Sequence, residues 1–510
     1  MKDLIRIALL GSDRTELPES LREEIKALGV EDKDRAKAIL RAVTKWQMQQ
    51  KAAYIPPRFE GEWPLAPDTA NERFCSPNAT KYLQQIMDGK YEQVLPEFFS
   101  IAKSEACFLP PEQVPTLLQQ ASENPGQAAL LKPLMGAHAK WLAAQHPEWS
   151  LLFAETAIED WPDVGFQQRV HIFRQMRERN ISVSLELLQS VWKDIDFRQK
   201  KSFLKVMRFT VCLEDEVILE VALTDKRKEV RKVAAELLQS IPESKLLQRV
   251  WQGLEELVHI KKGKDGEEKP EVQLPNEISP AMLRDGIDPS QQWLRGGLRA
   301  SRLGQMMAII PPGKWEEKFK RAPTKLIEIF AQSDYAIILL QSFSHAATLH
   351  RNDDWAIAIL EFWLYHHHLD RWVDFMPKQL CENLSAEAFN RIAIPALEYC
   401  DQLPTDEDPI TILIRKNTHP WNESLTQAFI MKCKEWISEY SSSYWTAIHL
   451  KSIIQNASYH IEPKLADSLT KSWPTTSAAW GSWESDIETF FKVLRFRKGM
   501  KEALKEERGS

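Results

Sequence analysis

Little in this 510-residue sequence points to chemistry of its own. It has no G-x-x-x-x-G-K-[ST], no G-x-G-x-x-G, no G-x-S-x-G and no H-E-x-x-H, so phosphate loops, dinucleotide folds, serine-hydrolase elbows and zinc-protease helices lose their usual signatures. Glycine is scarce, 18 residues, and with abundant Leu, Ala, Glu, Lys and Gln this excludes a fold built on Gly-turned strands. No run approaches the roughly 18 apolar residues that a membrane-spanning helix needs. The six cysteines (Cys75, Cys107, Cys212, Cys381, Cys400, Cys433) are far apart and form no C-x-x-C pair, which suits reduced thiols in a cytoplasm. The N-terminal apolar stretch is broken by Asp3 and Arg6 and reads as a helix rather than a secretion signal. Lys and Arg number 66 against 72 Asp and Glu, a formal charge of -6 with the signs interspersed along most of the chain, which argues against a dominant electrostatic grip on nucleic acid.

What is present is helical periodicity, clearest in EDEVILEVALTDKRKEVRKVAAELLQSIPES from Glu214 to Ser244. Val217, Ile218, Val221 and Ala222 share one helical face; Val230, Val233, Ala234, Leu237, Leu238 and Ile241 share another. Asp225, in the polar break between them, can accept hydrogen bonds from the N–H groups that open the second helix, and Pro242 ends it. The positions Asp225, Val230, Arg231, Ala234 and Leu238 resemble the HEAT repeat. That resemblance implies that Asp225 and Arg231 ladder to equivalent residues of neighbouring repeats. One such repeat cannot bury two apolar stripes, so neighbours must cover them and the implied product is a stacked α-solenoid.

The expected architecture is all-α: a HEAT-like α-solenoid with a less regular helical C-terminal half. Residues 1–54 read as a helical segment, with helices at Leu4 to Leu10, Leu17 to Leu28 and from Asp32; 55–78 as a Pro-rich linker; 79–260 as HEAT-like repeats. Residues 261–290 read as a linker, flexible at first, with an extended piece at Val272 to Leu274; 291–510 as a C-terminal helical domain with windows that include Leu369 to Leu380 and Ile487 to Glu507.

Candidate chemical groups are few. His366, His367 and His368 form the most metal-like cluster, but consecutive helical residues point about 100° apart and cannot converge on one ion. The acidic clusters Glu214-Asp215-Glu216, Asp353-Asp354 and Asp406-Glu407-Asp408 read as helix caps and solvated corners. Two basic stretches remain: Lys492, Arg495, Arg497, Lys498, Lys501 and Lys505 interleaved with Phe490, Phe491 and Phe496, and the group Lys226, Arg227, Lys228, Arg231 and Lys232. They carry the alternative reading, a HEAT-like nucleic-acid-binding protein.

Several phrases together resemble an uncharacterised bacterial HEAT-like family over most of the chain: ALLGSDR (Ala8 to Arg14), the Asp215 to Ser244 block, RDGI (Arg284 to Ile287) and the MMAIIPPGKWEE segment. The resemblance implies a non-enzymatic scaffold or adaptor without cofactor or metal. Its implied partners are a MoxR-type AAA ATPase, a von Willebrand factor A protein and a SWIM zinc-finger protein.

Overall fold

The computed structural model describes residues 19–27, 35–52, 64–69, 71–153, 161, 164–263, 265–277, 279–288, 290, 297–372, 375–400, 404–439 and 444–506. The helix expected at Leu4 to Leu10 and the signature Ala8 to Arg14 lie outside these residues. The chain divides into two compact units, 1–66 and 67–510. In the first, α1 (Glu19–Ala27) packs on α2 (Arg35–Ala52).

The second unit is all-α apart from one hairpin. It opens with α3 (Pro77–Met87), α4 (Leu95–Ser104), α5 (Val114–Glu123), α6 (Pro125–Leu131), α7 (Ala137–Ala144) and α8 (Pro147–Phe153). Ser76 caps α3, its hydroxyl accepting from the Ala79 N–H while Pro77 occupies the first turn, where no N–H is needed. Then come α9 (Phe166–Arg179), α10 (Ile181–Val191), α11 (Phe197–Met207), α12 (Glu216–Ala222), α13 (Lys228–Gln239) and α14 (Lys245–Leu254). In this stretch helices next but one in sequence lie side by side: α9 on α11 and α11 on α13, with α10 packed on α9 and α12 on α13. Side chains link the alternate row, Ser182 to Glu214 at 2.9 Å and Arg249 to Glu220 at 2.9 Å, joining α10, α12 and α14.

The segment read as a flexible linker is structured. Strands β1 (Val258–Lys262) and β2 (Glu268–Val272) pair antiparallel in the register Val258 with Val272 through Lys262 with Glu268. Charge holds this polar hairpin: Lys261 reaches Glu271 at 2.6 Å and Arg321 reaches Glu268 at 2.8 Å. Gly266, at φ +80°, supplies the left-handed turn residue. The short helix α15 (Pro280–Arg284) follows, and Ile287 behind it is buried.

From there the next-but-one packing continues. Helices α16 (Gly297–Ile309), α17 (Gly313–Phe319), α18 (Pro323–Phe330), α19 (Ala336–Leu349), α20 (Asp353–His366), α21 (Lys378–Glu382), α22 (Ala386–Tyr399), α23 (Pro409–Lys416), α24 (Glu423–Glu439), α25 (Tyr444–Ala457), α26 (Ala466–Leu469) and α27 (Trp480–Lys505) complete the chain. One row runs α18, α20, α22, α24; the other α19, α21, α23, α25, α27. The long helix expected from Leu369 to Leu380 is instead a single 3-10 turn at Asp370–Trp372 and the short α21, which begins just after Pro377.

Two apolar clusters result. The larger runs without a break at the expected 261–290 linker, from Trp161 to Leu494, and includes Val258 and Ile287. The smaller gathers residues between Cys75 and Ala143 and is completed by Phe496, Met500, Ala503 and Leu504 from α27. That helix therefore serves both: Trp483, Ile487, Phe490, Phe491 and Leu494 enter the large core, and its last turns lie on α3 and α4. Gly499 makes the second contact possible, because a Cβ there would collide with the Tyr82 hydroxyl. The Tyr82 and Tyr91 rings meet Phe496 edge-on at 4.9 and 5.1 Å, and the Ser76 hydroxyl donates to the Ala503 carbonyl at 2.8 Å.

Candidate interaction surface

The five repeat positions read from the sequence come together around the α12–α13 turn. Val230, Ala234 and Leu238 are buried on α13. The Asp225 carboxylate accepts the Arg227 N–H at 2.9 Å and the Lys200 ammonium of α11 at 3.0 Å. Partial burial pushes its pKa up, but the Arg227 N–H and Lys200 outweigh that and hold it below the ordinary carboxylate value. Arg231 does not reach a neighbouring repeat. It donates to the carbonyls of Asp225 and Lys226 at 2.8 and 3.1 Å, closing its own turn, so the link to α11 is made by Asp225 with Lys200.

The face of α12 differs from the sequence reading. Asp215, Ile218, Leu219 and Ala222 point inward, with Leu223 behind them, whereas Val217 and Val221 are exposed. The inward set, spaced i, i+3, i+4, i+7, includes a carboxylate, and that carboxylate has a partner. Arg177 of α9 grips Asp215 with two 2.8 Å hydrogen bonds and donates to the Thr210 hydroxyl and carbonyl, both at 2.9 Å. Asp215 also accepts the Cys212 N–H at 3.0 Å. Asp215 is therefore no solvated corner: it is 0% exposed, and every one of its contacts is charge-assisted. Only its place on the buried stripe could have signalled this, since Arg177 lies 38 residues away.

Turning the stripe over leaves apolar side chains in water. Phe209 is 82% exposed and Val217 63%; Leu213 and Val221 join them at four-residue intervals, and Val183 of α10 is also exposed. Around them the residues 180–192 and 209–224 contain five carboxylates (Glu186, Glu214, Asp215, Glu216, Glu220) and no Lys or Arg. Asp215 is sealed by Arg177, and Lys245 and Arg249 of α14 pair with Glu216 and Glu220, so the exposed carboxylates beside the strip are Glu186 and Glu214. So exposed a set of apolar side chains is an unusual surface for an isolated protein.

The groups singled out for chemistry take structural places. The Nδ1–H groups of His366 and His367 donate to the Phe362 and Leu364 carbonyls at 2.8 and 2.9 Å, and the His366 ring stacks on Phe362, so the imidazoles diverge. Among the described residues no three His, Cys, Asp or Glu side chains are placed to hold a metal ion. Burial pushes the Cys381 thiol up to about 12 and raises Cys107 and Cys433 as well, which keeps them out of the reactive thiolate form. The C-terminal basic stretch is turned to internal use: Arg497 and Lys501 reach Glu97, Lys498 pairs with Asp467, Lys492 with Glu488, and Phe490, Phe491 and Phe496 are buried.

A family model spans residues 3–504, nearly the whole of the two-unit chain just described. The chain belongs to DUF5691, a family of unknown function. No curated protein and no solved structure matches it. Membership of DUF5691 leaves the activity to be argued from the surface. Among the described residues no helix is long and apolar enough to cross a membrane.

Proposed function

We propose that this DUF5691 protein is a HEAT-like α-solenoid that works in the cytoplasm as a non-enzymatic adaptor, holding one helix of a protein partner on the α10–α12 face. The observation that carries the reading is the exposed strip Phe209, Leu213, Val217, Val221 set among carboxylates. Its occupant is specified by complementarity: an amphipathic helix with apolar residues at i and i+4 flanked by Lys or Arg. The next-but-one packing of α9, α11 and α13 supports the solenoid, and six free cysteines suit a reducing compartment.

The partners proposed for this face are a MoxR-type AAA ATPase and its companion von Willebrand factor A protein, in a bacterial remodelling assembly. Affinity purification of the tagged protein from its native host, with and without a non-hydrolysable ATP analogue, tests this directly. The wild-type chain is expected to recover one or both partners. The variant Val217→Asp with Val221→Asp is expected to lose them at an unchanged melting temperature, because both side chains already face water. Recovery of neither partner by the wild type, or equal recovery by the variant, sinks the reading.

A further inference from the structure

The module that carries the apolar strip carries dense positive charge on its other row of helices. Residues 193–208 and 225–232, which form α11, the turn before α13 and the first turns of α13, contain eleven Lys and Arg against four Asp and Glu. Two of these four carboxylates are already engaged: Asp196 accepts the Arg198 and Gln199 N–H groups at the start of α11, and Asp225 pairs with Lys200. The two helices run parallel, since Lys200 near the start of α11 meets Asp225 before α13 while Arg208 at its end meets Glu236 late in α13. The cations therefore form two adjacent columns, Arg198, Lys201 and Lys205 on one helix and Lys228 and Lys232 on the other, with exposed Lys226 and Arg227 at the turn. Arg227 lies over the Phe197 ring at 4.9 Å, which fixes its guanidinium at the column's edge. The remaining carboxylates of this face are Asp194, Glu229, Glu236 and, from beyond α13, Asp288, whose own charge is favoured chiefly by the Ser290 hydroxyl and N–H and further by Lys228 and Lys232.

The two rows differ in a second respect that decides the kind of partner. The basic row exposes no large apolar side chain from 193 to 208 or from 225 to 232, Phe209 coming only after the end of α11, whereas Val183, Leu213, Val217 and Val221 are exposed on the other row. A protein partner draws its affinity from buried apolar anchors and uses charge for steering; a phosphate backbone is held by counterion release alone and needs no anchor. From this pairing of dense cationic charge with an absence of apolar anchors we infer that the α11–α13 face binds the phosphate backbone of a nucleic acid, without reading sequence. This goes beyond the adaptor role, and places two partners on opposite rows of one module.

The test is fluorescence anisotropy of a labelled 25-base-pair duplex and a labelled 25-nucleotide oligo(dT) with the full chain, from 20 to 200 mM NaCl. Binding at 20 mM that weakens log-linearly with salt is expected. Reversing four exposed cations (Lys205→Glu, Lys226→Glu, Lys228→Glu, Lys232→Glu) should weaken it more than tenfold and flatten the salt slope by about 3 to 4. Thermal melts of the variant check that the fold is intact, and single Lys→Gln changes at the same positions give a graded series should the fourfold variant melt early. Val217→Asp with Val221→Asp, on the other row, should bind the duplex as the wild type does. The inference is overturned by no anisotropy change at 20 mM NaCl, by full affinity in the four-charge variant and the Gln series, or by loss of affinity in the Val217 and Val221 variant. Tighter binding of a poly-glutamate peptide than of either oligonucleotide at the same ionic strength would assign the face to an acidic polypeptide and also overturn it.

Discussion

Two buried guanidinium clamps fasten this molecule, and they differ in reach. Arg177 grips Asp215 across 38 residues of sequence, tying α9 to the turn that opens α12. Arg497 grips Glu97 across 400 residues, at 2.6 and 2.8 Å, and donates to the Ser458 and Ile461 carbonyls at 2.6 and 2.7 Å. Chemically they are alike: a bidentate carboxylate, with the remaining N–H groups given to backbone carbonyls and, in Arg177, also to the Thr210 hydroxyl. Their surroundings are not. Asp215 is sealed and has one cationic partner, while the Glu97 side chain keeps 24% of its surface and has Lys501 at 3.1 Å as a second. The pair that spans the shorter loop is the one that cannot tolerate loss of a partner; the long-range pair has a spare.

Breaking the two clamps separately should expose that difference. Arg177→Ala leaves a carboxylate with no water and no cation, and is expected to cost about 3–5 kcal/mol in a urea melt. A loss below about 1 kcal/mol would show that Asp215 can take a proton or a water molecule in place of its partner. Arg497→Ala should cost about 2 kcal/mol, because Lys501 and solvent still serve Glu97. Its signature is location: amide exchange should accelerate in α3, α4 and the last turns of α27 and stay unchanged in α11 and α13. Uniform acceleration across the chain would mean that the clamp supports the whole unit.

Acid sharpens the comparison further through two buried histidines, one of them beside a clamp. His460 neighbours Arg497, and His171 lies on α9 with Arg177; burial first, then the nearby cations (Arg497 for His460, Lys132 and Arg174 for His171), lower both to about 4. Each is neutral when folded and charged when unfolded between pH 4 and 6.5, so the unfolded state binds more protons there and stability falls as pH drops through that window. For His460 alone the loss from pH 7 to pH 5 should be about 2 kcal/mol, and smaller for the more exposed His171. Glu97 adds to the fall at lower pH. Burial raises its pKa, the Arg497 and Lys501 contacts lower it more, and the stabilisation present above the unfolded value of 4.5 is lost as pH falls through the depressed folded value. Urea midpoints of His460→Asn at pH 7 and pH 5 check this; a variant as acid-sensitive as the wild type would remove His460 from the account.

What the sequence made legible was what depends on neighbours along the chain. The all-α class and α13 with its buried Val230, Ala234 and Leu238 follow from periodicity. α12 is where that logic slips: seven residues hold two competing apolar stripes, and the Val217–Val221 stripe lost to Ile218, Leu219 and Ala222 because Asp215 on the same side could be paired from α9. The β1–β2 hairpin was hidden by its charge. KKGKDGEEK looks like a solvated run until Lys262 is seen opposite Glu268 across the ladder and Lys261 reaching the next carboxylate, Glu271. The C-terminal cations looked available because Glu97, their partner, lies at the other end of the chain. For α12 and for Arg497 the missing term was a contact between residues far apart in sequence; for the hairpin it was pairing across about ten residues.

The dual role of α27 has a consequence for how the protein is made. Residues 75–143 leave the ribosome early, yet the cluster they build lacks Phe496, Met500, Ala503 and Leu504 until some four hundred residues later. At 5–20 residues per second that is about 20–80 s during which Leu83, Phe98 and Leu117 belong to an unfinished core. The order of synthesis and the order of completion are therefore opposed: the first helices of this unit to appear are among the last to be sealed.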